Sequence, residues 1–343
     1  MIVRKIGVIK STRVTVPVSD APARKAPANA PSPLADRVLQ GDLRALARGI
    51  SLVEDESPAA AALIRDLYPH TGKAYLIGVT GPPGAGKSTL VDRLVASIRN
   101  AGLTVGVIAV DPTSPFTGGA LLGDRLRMGS HSADPGVFIR SMATRGHMGG
   151  LSRATSDAAL VLDAAGRDVV VIETVGVGQD EVDIVRMADV SVVTLVPGTG
   201  DDVQAIKAGV MEIADIFVVN KADRDGADRA VESIEANLSL QTFEPGAWHP
   251  PVLKTVASSG AGVEELWASL QAFRAHTAAG QAGRRVARDE WRLKELVAAR
   301  FARHLEQVLP AGEFERMVEA VASRSLDPYT AAARLVERAV GAI

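Results

Sequence analysis

The stretch that decides the fold is residues 75–98, which read YLIGVTGPPGAGKSTLVDRLVASI. Its apolar run at 75–80 predicts a buried strand, and Leu90 and Leu94 are spaced as on one face of a helix. Between them, residues 81–88 fit the pattern G-x-x-x-x-G-K-[ST], a glycine-rich loop that surrounds phosphates between a strand and a helix. The stretch therefore predicts an α/β P-loop NTPase fold.

Further apolar runs continue this pattern along the chain and alternate with helical segments. Such alternation is typical of a mostly parallel sheet covered by helices on both faces. The predicted strands are Tyr75–Thr80, Thr104–Val110, Val137–Arg140, Asp168–Ile172, Ser191–Val196, Ile216–Asn220 and Val252–Thr255. We assign residues 73–278 to this P-loop domain.

Two segments precede the domain. Residues 1–33 are basic and end in an Ala/Pro stretch, which predicts a disordered tail, with a mitochondrial transit peptide as the alternative. Residues 34–72 predict an N-terminal helical extension of two helices, the first from Leu34 to Ile50 and the second from Pro58 to Leu67.

A C-terminal helical region, 279–343, follows the domain, with helices expected at 288–308, 313–323 and 328–340. The first carries an apolar stripe formed by Trp291, Leu293, Val297, Phe301, Leu305 and Val308. This stripe either packs on the sheet or forms a seam against a second subunit.

Composition excludes several classes of function. The chain has 38 Lys and Arg against 40 Asp and Glu, so its net charge of −2 gives no general attraction for nucleic acid or an anionic membrane. It contains no Cys, which excludes disulfides and thiolate metal sites. No apolar stretch is long enough to cross a membrane. We expect a cytoplasmic protein without a nucleic-acid or membrane partner.

The glycine-rich loop supplies the phosphate contacts. The expected contact residues are Gly81, Pro82, Pro83, Gly84, Ala85, Gly86, Lys87, Ser88 and Thr89. Backbone N–H groups of 84–89 surround the β-phosphate, and the helix N-terminus adds its dipole. Lys87 is the point charge for the β- and γ-phosphates, and Ser88 offers its hydroxyl to Mg²⁺.

Carboxylates at the ends of two strands are candidate metal-site residues. Asp111 and Glu173 each follow a predicted strand, and strand carboxyl ends form the ligand crevice in open α/β sheets. Glu173 and Gly176 have the spacing of the D-x-x-G switch with Glu in place of Asp, so the Gly176 N–H would meet the γ-phosphate. Asp124 is either a further metal ligand or a solvated loop residue.

The motif Asn220-Lys221-Ala222-Asp223 after the sixth strand indicates guanine. Asp223 can accept hydrogen bonds from guanine N1–H and the 2-amino group, whereas adenine has no proton at N1. A backbone N–H of Val256-Ala257-Ser258, after the last strand, is placed to meet guanine O6. The sequence therefore predicts GTP and GDP as ligands rather than ATP.

The segments between these motifs, 111–128, 140–150, 173–179 and 197–209, are more particular than nucleotide binding requires. In this order they resemble the MeaB/ArgK family of methylmalonyl-CoA mutase-associated GTPases. The resemblance runs from about Leu34 to the segment that begins at Asp327.

The resemblance implies a homodimeric GTPase chaperone that binds an adenosylcobalamin-dependent acyl-CoA mutase, gates cofactor delivery and protects the mutase from inactivation. The dimer is implied to form through the C-terminal helices, which favours the subunit seam. Mg²⁺ is implied at Ser88, Asp111, Asp124 and Glu173. Mobile switch segments are implied at 111–128, 173–183 and 197–209, with Lys207 coupling the last to the nucleotide.

The group that orients the attacking water is not evident. Val177 directly follows Gly176, and Gln179 stands two positions after Val177. We therefore expect slow hydrolysis that a partner accelerates by ordering the switch segments. The alternatives are a metal-insertion GTPase, a transport-associated nucleotide-dependent kinase, and an interaction scaffold that binds nucleotide without turnover. The missing Cys argues against the first, and Asn220–Asp223 argues against an ATP-dependent kinase.

Overall fold

The computed structural model describes residues 32–112, 129–131, 133–144, 150–174, 187–198 and 214–341, without the side chains of 111–112, 143–144, 150–152 and 281–282. The chain from Ser32 onwards clusters as one compact unit. The predicted tail and most of the three predicted switch segments lie outside the described residues.

Seven parallel strands form a single sheet, which confirms the predicted fold class. They are β1 (Tyr75–Thr80), β2 (Val105–Pro112), β3 (Val137–Thr144), β4 (Val169–Glu173), β5 (Val190–Leu195), β6 (Ile216–Asn220) and β7 (Val252–Thr255). Their order is β3-β2-β4-β1-β5-β6-β7. The chain therefore builds one side of β1 and then the other, so the carboxyl end of β1 lies where the topology reverses and open α/β sheets bind ligands.

Two strands are longer than the sequence pattern predicts. β2 and β3 stay paired as far as Asp111↔Ala143 and Pro112↔Thr144. Asp111 therefore lies within β2 rather than after it, because the ladder with β3 continues past the apolar run that marked the strand. Glu173 likewise is the last residue of β4 and pairs with Val79 of β1.

Helices cover the sheet and extend the chain beyond it. They are α1 (Pro33–Leu39), α2 (Leu43–Glu54), α3 (Pro58–Leu67), α4 (Lys87–Asn100), α5 (Gly150–Ala164), α6 (Ala227–Leu238), α7 (Val263–Thr277), α8 (Gln281–Val308), α9 (Glu313–Ala322) and α10 (Pro328–Gly341). None of the helices in the described part of the chain has a stretch long and apolar enough to cross a bilayer.

The N-terminal extension has three helices, so the prediction of one helix from Leu34 to Ile50 is wrong. Gly41 has φ +76°, a left-handed conformation that ends the first helix. Asp42 then caps α2 by accepting hydrogen bonds from the N–H groups of Arg44 and Ala45 at 2.8 and 3.1 Å. The apolar periodicity continues through this break because both helices face the same core.

The core fills both faces of the sheet. On one face α4 and α7 pack over the strands, with Leu94 and Phe273 fully buried. On the other face α1, α2, α3 and α5 cover β2 and β4 around Leu46 and Ile108. Truncating such a buried leucine or phenylalanine to alanine costs about 2–5 kcal/mol, so these layers fix the positions of the strand ends that carry the site.

The apolar stripe of α8 is only partly buried in the chain. Trp291 packs against the core beside α5. Leu293 and Val297, on another side of the helix, are 62% and 60% exposed. Arg292 fixes the helix to the domain through an ion pair with Asp157 at 2.5 Å. One part of the stripe thus belongs to the core, and the other part faces outward.

Candidate functional site

The loop 81–86 joins β1 to α4 at the topological reversal. Pro82, Pro83 and Gly84 are at least partly exposed, Ala85 is buried, and α4 begins at Lys87. No side chain caps this helix, whose N-cap is Gly86. The N–H groups of a first helical turn have no partners within the helix, and together with the dipole they favour an anion. The loop therefore has the construction of a phosphate site, with Thr89 on the exposed side of the first turn.

Glycine is required at two positions of this loop. A Cβ atom at Gly81 would lie 2.0 Å from the carbonyl oxygen of Thr194, so the loop passes against the backbone of β5. Gly86 has φ +85°, and a Cβ there would lie 2.5 Å from Asn220 Nδ2. Larger residues would separate the loop from its neighbours on both sides.

Lys87 lies inside the loop, with only 5% of its surface exposed. Its Nζ donates hydrogen bonds to the carbonyl oxygens of Gly81 and Pro82 at 2.7 and 3.1 Å. These bonds hold a buried ammonium group over the start of α4. The positive charge and the helix N-terminus therefore act on the same small volume, as binding of a polyphosphate requires.

Ser88 and Glu173 come together below the loop. Ser88 Oγ donates to Glu173 Oε1 at 2.6 Å, and Glu173 is only 4% exposed. Next to them, the hydroxyls of Thr80 and Thr174 are hydrogen-bonded at 2.9 Å. The ends of β1 and β4 are thus fixed to each other, and a hydroxyl and a carboxylate lie side by side.

This pair suits the hard cation that a phosphate site uses. Mg²⁺ prefers oxygen donors and binds through one or two protein groups together with phosphates and water. Ser88 and Glu173 supply such donors, so the described residues fit Mg²⁺. The side chain of Asp111 lies outside the described residues, as does all of Asp124, so their roles as metal ligands stay predictions. Among the described residues, no three His, Cys, Asp or Glu side chains form a metal-binding group.

Asn220 joins the phosphate loop to the base side of the crevice. Its Nδ2 donates to Ala85 O at 2.8 Å, and its Oδ1 accepts from Ala257 N and Thr255 Oγ1, both at 3.1 Å. The side chain is 1% exposed. Its amide therefore fixes three segments that are far apart in sequence, and its removal would leave several buried groups unsatisfied.

Lys221 and Asp223 follow at the mouth of the crevice. Lys221 has φ +57°, and its Nζ donates to Gly84 O at 2.7 Å, so its stem runs from β6 to the phosphate loop. Asp223 is exposed in the turn after β6. The structure therefore brings Asn220 and Lys221 to the phosphate loop and leaves the Asp223 carboxylate accessible to a ligand.

The loop of Val256, Ala257 and Ser258 lies between Asn220 and α4. Besides the bond from Ala257 N to Asn220, its carbonyls accept hydrogen bonds from Arg93 of α4. Ser258 is exposed, whereas Ala257 is buried. The predicted base-side loop is thus held on both sides by side chains.

Three of these contacts had no signal in the sequence. The Thr255 hydroxyl, the Thr80–Thr174 pair and the Arg93 guanidinium all act across at least 35 positions of the chain. The spacing of neighbouring residues in the sequence does not indicate such distant partners. Four predicted residues, Gly176, Gln179, Lys207 and Asp124, lie outside the described residues, and their roles stay predictions.

A seven-stranded parallel sheet with this loop and its buried lysine defines the P-loop class of nucleotide-binding proteins, and Asn220–Asp223 is the motif from which the sequence predicts guanine. Comparisons with known proteins narrow the class. Residues 46–309 match the family model described as Methylmalonyl Co-A mutase-associated GTPase MeaB. The chain belongs to this family.

Individual relatives agree with the family model. A Pyrococcus abyssi protein that carries the name GTPase is 52% identical over 314 residues, which are 90% of this chain and 96% of that protein. GTPase ArgK of Escherichia coli is 41% identical over 253 residues, 71% of this chain and 76% of the relative. The mouse protein "Methylmalonic aciduria type A homolog, mitochondrial" is 36% identical over 253 residues, 69% of this chain and 61% of that protein.

A solved structure is similar over most of its length. It is titled "LAO/AO transport system kinase", with a TM-score of 0.67, 30% identity, and coverage of 89% of this chain and 95% of the other. The fold, the site and these relatives make the chain a guanine-nucleotide-binding P-loop GTPase.

Proposed function

We propose that this GTPase is a chaperone of an adenosylcobalamin-dependent acyl-CoA mutase, methylmalonyl-CoA mutase or a close relative. It binds the mutase, gates the loading of the cofactor, and protects the mutase from inactivation. The observation that carries the proposal is the family match over residues 46–309, whose description names methylmalonyl-CoA mutase. The mouse relative, named for methylmalonic aciduria, supports the same client class.

The nucleotide part of the proposal rests on the two ends of the crevice. Lys87 and the first turn of α4 neutralise the β- and γ-phosphates, and Asp223 with the 256–258 loop selects guanine. Phosphoryl transfer depends mainly on positioning and charge stabilisation, which a buried ammonium at a helix N-terminus provides. Gly176, Gln179 and Lys207 are our candidates for contacts that form when the switch segments are ordered.

Mg²⁺ completes the proposed site. Ser88 and Glu173 would hold the ion, and Asp111 and Asp124 are proposed to contribute directly or through water. When bound, the ion neutralises charge that develops on the phosphate oxygens. The 2.6 Å bond between Ser88 Oγ and Glu173 Oε1 keeps both oxygen donors at the start of α4.

We propose that intrinsic hydrolysis is slow and that the mutase accelerates it. The residues after Glu173 provide no glutamine directly beside the switch glycine, since Gln179 stands three positions beyond Gly176. A partner that orders the segment would supply the missing orientation of water. A kcat of tens per second for the isolated protein would contradict this part of the proposal.

We further propose a cytoplasmic homodimer that forms through the C-terminal helices. Exposed apolar side chains lie on all three helices, at Val286, Leu293, Val297, Phe314, Val318, Val336 and Val340, with 42–66% of each exposed. We call them the apolar C-terminal set. Several exposed apolar side chains on neighbouring helices are typical of subunit contacts.

The dimer is tested by sedimentation velocity. Replacing both Leu293 and Val297 by Glu should convert the dimer to a monomer, because charges would be buried without partners in the seam. Leu43→Glu, at a leucine of α2 that is 44% exposed, is the matched control and should leave the dimer intact. A monomeric wild-type protein, or a double variant that stays dimeric, would refute the seam.

The client is tested with purified apo-mutase of the methylmalonyl-CoA class. We expect a complex by size-exclusion chromatography in the presence of a non-hydrolysable GTP analogue. GTP hydrolysis should control the rate at which adenosylcobalamin enters the mutase active site. The Lys87→Ala variant is the control for nucleotide dependence. No complex in any nucleotide state, together with unchanged cofactor loading, would contradict the chaperone proposal.

A transport-associated kinase remains the competing function because the solved relative at 30% identity is titled as one. Phosphate release measured with ATP and GTP side by side separates the two. Turnover of GTP without phosphate transfer to an added protein supports the chaperone proposal. ATP-dependent transfer of phosphate to a transport protein would support the kinase.

A further inference from the structure

One guanidinium group on α4 holds the base-side loop. Arg93 Nε donates to Ala257 O at 3.3 Å, and Arg93 Nη2 donates to Ser258 O at 3.1 Å. Arg93 lies on α4, the helix that begins at the phosphate loop. The helix whose first turn is proposed to bind the phosphates therefore also contacts, through its second turn, the loop at the other end of the site.

The two contacts fix more than the distance between helix and loop. Guanidinium N–H groups form a rigid planar fork, so two bonds to successive carbonyls set the orientation of both peptides. In a planar trans peptide the C=O and N–H bonds point in opposite directions. Because the Ala257 carbonyl points at Arg93, the N–H of Ser258, which belongs to the same peptide, points away from Arg93.

The Ser258 N–H is also free to donate to a ligand, because the neighbouring N–H groups of the loop donate to protein oxygens. Val256 N donates to Ala261 O at 2.9 Å, Ala257 N to Asn220 Oδ1 at 3.1 Å, and Ser259 N to Val256 O at 3.0 Å. Within the described residues, Ser258 N donates to no protein group. The hydrogen bond from Arg93 to Ala257 O polarises this peptide and makes its N–H a stronger donor.

We propose that Arg93 is a positioning residue for purine recognition, which aims the loop amide of Ser258 at the oxygen on C6 of guanine. The inference rests on the proposed base site at Asn220–Asp223 and 256–258. A C6 oxygen accepts a hydrogen bond, whereas the C6 amino group of adenine donates, so an N–H fixed at this place favours GTP over ATP. Arg93 thus contributes to base selectivity without touching the base.

If Arg93 had a purely structural role, its hydrogen bonds would only join α4 to the loop. The same helix contains such a tie, because Ser97 Oγ donates to Glu264 Oε1 of α7 at 2.7 Å. Ser97→Ala removes a contact between α4 and the segment after the loop but leaves the loop carbonyls paired. It is the matched control for Arg93→Ala. Because Arg93 is exposed, its replacement should leave the protein folded.

The experiment compares three nucleotides that differ in one group each, by calorimetric Kd at saturating Mg²⁺. In 6-thio-GTP a sulfur, a weak acceptor, replaces the C6 oxygen while N1–H and the 2-amino group remain. ITP keeps the C6 oxygen and lacks the 2-amino group that Asp223 is proposed to bind. The wild type should bind GTP about tenfold more tightly than either analogue, as expected for one hydrogen bond to each group.

Arg93→Ala should lose most of the tenfold preference for GTP over 6-thio-GTP and keep its preference for GTP over ITP. KM for GTP should rise about tenfold with kcat unchanged, because only binding of the base is affected. Arg93→Lys keeps the charge and can donate to the carbonyls but lacks the rigid planar fork that orients both peptides, so its preference should fall between those of the wild type and Arg93→Ala. Ser97→Ala should match the wild type in both ratios.

Two results would overturn the inference. If Arg93→Ala weakens GTP and 6-thio-GTP equally, Arg93 only stabilises the loop. If it changes neither, Arg93 has no role in the site. A wild type that binds GTP, 6-thio-GTP and ITP equally would refute the base site itself, and this inference with it. That result differs from both outcomes above, so the two failures can be told apart.

Discussion

The two ends of the crevice are built in different ways. At the phosphate end, Lys87, Ser88 and Glu173 are 5%, 8% and 4% exposed and belong to a helix start and a central strand. At the base end, Asp223 and Ser258 are exposed and belong to turns. The phosphate end is thus part of the core, whereas the base end is held in place by side-chain hydrogen bonds.

From this difference in burial we expect the phosphate end to determine the affinity for any nucleotide and the base end to determine which purine is bound. Changes at the phosphate end alter buried charges and should affect all nucleotides alike. Changes at the base end act on exposed groups and should alter the choice of purine while the fold stays intact. Asn220 contacts both ends, through Ala85 O on one side and Ala257 N on the other, and we propose that it keeps the two ends aligned.

The largest effect is expected for Lys87→Ala. Turnover of GTP should fall about 10³-fold, because a preorganised charge on the phosphates is lost from a buried site. Phosphate release under saturating GTP measures it. Lys221→Ala is the matched control, since Lys221 Nζ also donates to a loop carbonyl, that of Gly84, but from the base side. Equal losses in both variants would contradict the division between the two ends.

Asp223→Asn should weaken GTP about 100-fold and improve binding of xanthosine triphosphate. Each of two hydrogen bonds to a charged acceptor contributes about 1.5–3 kcal/mol, and the amide instead complements the C2 carbonyl of xanthine. Calorimetric Kd values for both nucleotides measure the shift. Asp225→Asn, at an exposed neighbour in the same turn, should change neither value. Persistent GTP selectivity in Asp223→Asn would refute the base assignment.

Glu173→Gln should weaken the apparent affinity for Mg²⁺ about 10- to 100-fold, as loss of a charged partner at a metal site does. The amide keeps an oxygen that can accept from Ser88 Oγ, so the packing is retained. A Mg²⁺ titration of GTP turnover gives the midpoint. Nucleotide binding measured without metal should be nearly unchanged in the variant. If the variant has the same Mg²⁺ midpoint as the wild type, Glu173 has only a structural role.

The smallest effect is expected for Thr255→Val. It removes the hydroxyl that donates to Asn220 Oδ1 at 3.1 Å and costs about 1 kcal/mol, or about fivefold in GTP affinity. Thr194→Val is the matched control, because the buried Thr194 hydroxyl has no hydrogen-bond partner among the described residues. Chemical denaturation and Kd should both distinguish the variants. Equal behaviour would show that the Asn220 link does not depend on Thr255.

Much of this architecture could be predicted from the sequence because its signals are local. The apolar runs marked all seven strands, and the spacing of Gly81, Lys87 and Ser88 correctly predicted a loop between a strand and a helix. The break at Gly41 was missed because the apolar periodicity runs through it. The ties from Arg93 and Thr255 were missed because their partners are distant in sequence, and no local pattern records which side chains a fold brings together.

The measurement that tests the central claim most directly is calorimetric titration of the protein with matched non-hydrolysable analogues of GTP and ATP in the presence of Mg²⁺. We predict saturable one-site binding of the guanine analogue and at least about 100-fold weaker binding of the adenine analogue, since adenine would leave the Asp223 carboxylate and the Ser258 N–H without their hydrogen bonds. Equal binding of both analogues, or no heat with the guanine analogue from folded protein, would contradict the account.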